Sequence, residues 1–84
     1  MIVESYKITD AQIEACIHRM RIARFTRGSI EHAAIQAGVQ VSHSCTPVAY
    51  RLAGRLIQQQ RKKGNIIQEG RGLWRWLSDE EKLV

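Results

Sequence analysis

Residues 46–77, TPVAYRLAGRLIQQQRKKGNIIQEGRGLWRWL, decide how this chain is read. Thr46 suits an N-cap, and Pro47 suits the first helical position, where its missing N–H loses no bond. From there to Lys63 there is no second proline, and Gly54 alone weakens the helix. Lys62 and Lys63 complement the negative end of the helix dipole, and Gly64 is placed to terminate it. Ile66–Glu69 and Leu73–Leu77 then read as two strands of a hairpin, rich in branched and aromatic residues, with Gly70-Arg71-Gly72 at the bend. The order is long helix, glycine stop, hairpin.

On a helical wheel at about 100° per residue, Val48, Ala49, Leu52, Ala53 and Leu56 share one side. Tyr50, Arg51, Gly54, Arg55, Gln58, Arg61 and Lys62 share the other. The apolar stripe predicts a helix packed on a core. The opposite face carries four cations and no acidic residue, so its like charges have no i,i+4 partner and repel one another. A phosphate backbone would relieve that repulsion; the bland alternative is a solvated helix face. Gly54 is a gap in this face, which either admits such a backbone closely or relieves a helix–helix contact.

The 84 residues carry 13 Lys+Arg, 8 Asp+Glu and a net charge of +5. Its distribution says more than its size. Residues 18–76 hold eleven Lys/Arg against Glu31 and Glu69, a balance of +9. Residues 1–17 set Lys7 against Glu4, Asp10 and Glu14, and residues 77–84 set Lys82 against Asp79, Glu80 and Glu81, a balance of −2 in each. The positive charge is concentrated where a polyanion would be met. At 44% hydrophobic residues the chain is expected to fold as a single domain, with an ordered core over about residues 8–78 and frayed ends at about 1–6 and 79–84.

Thr9-Asp10-Ala11-Gln12 is a capping box, with Ile8 and Ile13 as its hydrophobic staple. Ile13, Cys16, Ile17 and Met20 recur at helical spacing, so a first helix is expected from about Asp10 to Arg24. Arg24-Phe25-Thr26 reads as a short strand, with Thr26 capping a second helix over about Arg27–Ala37. Ile30, Ala33, Ala34 and Ala37 would face inward there, and Gly38 would end it.

Phe25-Thr26, Ile30, Ala33-Ala34 and Gly38-Val39 resemble the second helix and turn of bacterial and phage winged helix-turn-helix DNA-binding domains. Arg55-Leu56-Ile57, Lys62-Lys63-Gly64-Asn65-Ile66, Gly70 and Leu73-Trp74 are similar to the recognition helix, following strand and wing of that family. The resemblance spans about residues 9–77. It implies an α+β fold of three helices with a C-terminal two-stranded wing and a short third strand near Phe25. It also implies that the recognition helix, residues 47–63, enters the major groove while the wing, residues 65–77, lies on adjacent backbone. Carried over by position, Tyr50, Arg51, Arg55 and Gln58 would face bases and phosphates. Arg61 and Lys62 would contact backbone, and Arg71, with Arg75 on the same hairpin, would reach phosphate or minor groove. One departure is the segment Gln40–Cys45, which lengthens a turn that is usually short in the family. Trp74 and Trp76 share a strand face and read as sheet anchors rather than base-stacking platforms.

Catalytic chemistry finds little support. His18, His32, His43, Cys16 and Cys45 do not form a metal-ligand spacing, and a Cys45–His43 pair lacks an orienting third group. The glycines do not make a phosphate-binding loop. The expectation is a binding protein with no enzymatic activity, cofactor or metal. Its expected ligand is double-stranded DNA, its expected role that of a small transcriptional regulator. Dimerisation, a protein partner or simple occupancy of the site would supply regulation. The alternative is a winged-helix module that docks a protein; structured RNA shares the same electrostatics. Two cysteines, no signal peptide and no apolar run of ~18 residues point to a cytoplasmic, nucleoid-associated protein away from membranes.

Overall fold

The structure, a computed structural model, describes residues 1–43 and 45–82. Its described elements are β1 (Ile2–Val3), β2 (Tyr6–Lys7), α1 (Asp10–Ile22), α2 (Arg27–Gln36), α3 (Val48–Lys62), β3 (Ile66–Gly70), β4 (Leu73–Trp76) and α4 (Asp79–Lys82). They form an α+β fold in which β1–β2 and β3–β4 are separate antiparallel hairpins. No helix among the described residues is long and apolar enough to cross a membrane.

Local chemistry accounts for most of the element ends. Thr9 accepts from the Gln12 backbone while the Gln12 side chain accepts from the Thr9 N–H, which starts α1. Thr26 and Ser29 make the same reciprocal pair at α2. α1 ends at Ile22, two residues before the expected Arg24, because Ala23 turns extended and the Arg19 guanidinium donates to the Ala23 and Arg24 carbonyls. Gly38 at φ +95° and Gly64 at φ +76° take the left-handed backbone that closes α2 and α3.

The start of α3 corrects the sequence expectation. Pro47 stands at the N-cap, no side chain caps the helix, and Thr46 instead exchanges two 2.9 Å backbone hydrogen bonds with His43. Between α2 and α3 the Ala49 N–H also reaches back to the Val41 carbonyl at 3.4 Å. Ser44 lies outside the described residues.

The core joins all three long helices. Cys16 and Met20 of α1, Ile30 and Ala34 of α2, and Val48, Ala49, Leu52, Ala53, Leu56 and Ile57 of α3 are buried around Phe25, with Ile66 sealing one end. Burial pushes the Cys16 thiol up to about 11, so it stays protonated at neutral pH. Gln60, the buried polar residue of α3, accepts from Asn65 at 2.8 Å, as its burial requires.

β3 and β4 pair Ile66 with Trp76, Ile67 with Arg75 and Gln68 with Trp74, with a bulge before Gly70. Trp74 and Trp76 share the inner face and pack half-buried on the core. Phe25 exchanges backbone hydrogen bonds of 2.9 and 2.8 Å with Trp74, so the expected third strand is realised as a single bridge.

Both expected frayed ends are corrected. The N-terminal residues form the β1–β2 hairpin, with Val3 buried against the core and the Tyr6 ring 5.9 Å from His43. At the other end, Ser78 and Glu81 cap each other and start α4, so the chain has a fourth helix. Leu83 and Val84 lie outside the described residues.

Candidate nucleic-acid interface

A helix of 15 residues rising ~1.5 Å each gives α3 a length of about 22 Å, with one side committed to the core. That commitment fixes what the other side presents. Tyr50, Arg51, Arg55, Gln58, Arg61 and Lys62 are all exposed, as the wheel predicts. Their surroundings differ, and the differences define the face.

On the Tyr50 side, Arg27 of α2 lies across α3. Its guanidinium carbon sits 3.6 Å from the centre of the Tyr50 ring, and its Nε and Nη2 both donate to the Tyr50 carbonyl at 3.1 Å. A Cβ built on Gly54 would come within 2.5 Å of Arg27 Nη2. Gly54 is therefore a helix–helix device: its missing side chain is the slot through which Arg27 crosses. Sequence reasoning missed Arg27, which follows the Thr26 cap as an ordinary first-turn residue. The glycine in an otherwise regular helix was the only trace of it.

On the opposite side, the β1–β2 hairpin reaches the helix. Arg55 Nη1 donates to the Ile2 carbonyl at 2.8 Å, and Arg51 Nε lies 3.5 Å from Glu4 Oε1. α3 itself has no acid to pair these cations; the hairpin supplies one. Between these flanks Arg61 donates to the Gln58 side chain at 3.3 Å, and Lys62 is exposed beside it. The solvent-facing strip of α3 thus runs from Arg51 through Gln58 to Arg61 and Lys62.

On the β3–β4 hairpin the two expected contacts part company. Arg71 stands exposed at the turn, next to Gly72 at φ +72°. Arg75 does not join it. Its Nε meets Glu69 Oε2 at 3.0 Å, and its two terminal nitrogens form a bidentate pair with Glu81 at 2.9 and 2.8 Å. Glu69 also holds Arg24 at 2.6 Å. These hydrogen bonds raise the Arg75 pKa above its already high value, and Arg75 with Ser78 holds Glu81 down at about 2. Arg75 is a strut between the hairpin and α4. Arg21 and Lys82 cover the Trp76 ring at 4.9 and 4.8 Å, completing that end of the molecule.

An open groove of about 310 Å³ lies between α1 and α2, lined by Ala15, His18, Ile22, Ala33 and Gln36, apart from the basic strip. Among the described residues no group of three or more His, Cys, Asp or Glu side chains is arranged to hold a metal. No protein-family model matches the chain, and no curated protein and no solved structure matches it either.

Proposed function

We propose that this chain is a winged-helix protein that binds double-stranded DNA through α3 and the β3–β4 wing, as a small transcriptional regulator rather than an enzyme. The observation that carries the reading is α3 itself. One side is wholly buried, and the other is an exposed strip of Arg51, Gln58, Arg61 and Lys62 without an acid of its own. A bare helix of ~10–12 Å diameter fits the ~12 Å major groove of B-DNA. Arg and Gln are suited to guanine and adenine edges, and Arg61, Lys62 and Arg71 to phosphates.

The arrangement around α3 supports the same reading. Three helices pack on one core, the hairpin follows α3 directly, and its β4 strand is tied back to Phe25. A cation at the turn then extends the basic strip beyond the helix. The Arg61→Ala/Lys62→Ala double variant tests this, because both side chains are exposed and neither supports the core. Its log–log salt slope for duplex binding should be shallower by about 1.8, at ~0.9 per phosphate contact. An unchanged slope would remove the Arg61–Lys62 end of α3 from the interface.

A further inference from the structure

We propose that the N-terminal hairpin is a built-in anionic competitor for the basic face of α3, its Glu4 carboxylate holding Arg51 until a phosphate displaces it. The inference rests on the reading of that face as a DNA site. Among the described residues, Glu4 is the one acid ion-paired with α3, and the hairpin engages two cations at once: Arg51 through the carboxylate and Arg55 through the Ile2 carbonyl.

The turn that carries Glu4 is built against local preference. Glu4 at φ +50° and Ser5 at φ +65° are both left-handed, the conformation of a two-residue hairpin turn that glycine or asparagine adopts most easily. A glutamate there adds backbone strain but places a negative charge beside Arg51. Strain of this kind persists only where the surroundings hold it. Here the surroundings are buried Val3 and Ile8, together with the two arginines.

The pair has the strength a competitor needs. Its side chains are 57% and 38% exposed at 3.5 Å, and exposed pairs of this sort are weak. A duplex phosphate can therefore take Arg51 from Glu4. While the pair is closed, one cation of the strip is cancelled, so every phosphate-driven complex is weakened, whereas base-edge contacts from Gln58 are untouched.

The test compares wild type, Glu4→Asn and Glu80→Gln on a random-sequence duplex by anisotropy at several salt concentrations. Asparagine tolerates left-handed backbone, so the hairpin is kept while the charge is removed; Glu4→Gly serves as a second variant with the same backbone tolerance. Glu4→Asn should bind roughly 2- to 5-fold more tightly near 0.1 M salt, about what a weak exposed pair is worth, with an unchanged slope, because Arg51 meets a phosphate in both complexes. Its melting temperature should be no lower than that of wild type. In an Arg51→Ala background the gain should vanish. Equal affinity for wild type and Glu4→Asn would overturn the competitor while leaving the DNA site standing. So would the same gain from Glu80→Gln, or a gain that survives Arg51→Ala. No binding by any of the proteins at the lowest salt would remove the DNA reading, and the competitor with it.

Discussion

The two β-hairpins of this protein use one motif to opposite effect. β3–β4 is tied into the core by buried Ile66, by the half-buried Trp74 and Trp76, and by the Phe25 bridge, and it exposes a cation at its Arg71-Gly72 turn. β1–β2 has strands of two residues and a single buried residue within them, Val3, and it folds the acid of its Glu4-Ser5 turn back onto Arg51. The first extends the positive surface of α3, and the second trims it. Anchoring differs too: β3–β4 is held by buried Ile66 and two tryptophans, the N-terminal hairpin by buried Val3, half-buried Met1 and Tyr6, and charge.

The largest expected effect tests that anchoring. Phe25→Ala empties a site that is 1% exposed while keeping the backbone bridge to Trp74, so denaturant unfolding should show a loss of ~3–5 kcal/mol from the core alone. Val3→Ala removes less buried area and should lose only about 1–2 kcal/mol. Equal losses would mean that the two hairpins are held alike.

Next comes the division of labour within β3–β4. Arg71→Ala should make the salt slope for duplex binding shallower by ~0.9, one phosphate contact. Arg75→Ala should leave that slope unchanged, because its guanidinium is occupied by Glu69 and Glu81. A slope change from Arg75 and none from Arg71 would invert the assignment.

Gly54→Ala sharpens the picture of the other flank. Alanine gains helix propensity of about 1 kcal/mol, but it expels Arg27 from Tyr50, and the two effects should nearly cancel. In an Arg27→Ala background the same substitution should stabilise by up to ~1 kcal/mol in thermal unfolding.

The smallest effect is one of pH. Glu81 is held at about 2, below its ordinary 4.5, by Arg75 and Ser78. Its contribution is therefore complete above pH 4.5 and is lost as pH falls towards 2. Glu81→Gln should flatten the corresponding part of the melting-temperature profile between pH 5 and 2.

What the sequence revealed and concealed follows the range of the interactions. The Thr9–Gln12 box, the Thr26 cap, the Gly38 and Gly64 stops and the glycine-rich wing turn are written within four residues of where they act, and they are legible. The side of α3 that meets the core is equally plain from its spacing. Arg27 in the Gly54 slot joins residues 27 positions apart, and the Glu4–Arg51 pair joins residues 47 apart, so neither leaves a periodic trace. The N-terminal hairpin is hidden further by a turn without glycine or asparagine, since tertiary contacts override its local preference. α4 is a milder case: Ser78 and Glu81 spell a capping box, but too few residues follow for periodicity to declare a helix.

The most direct measurement is anisotropy of a labelled random-sequence duplex titrated with wild-type protein across about 50–200 mM salt. With Arg51, Arg55, Arg61, Lys62 and Arg71 on phosphates, a micromolar affinity should fall with a log–log slope of about −4 to −5. No binding at the lowest salt, or an affinity indifferent to salt, would contradict a DNA site on α3 and its wing.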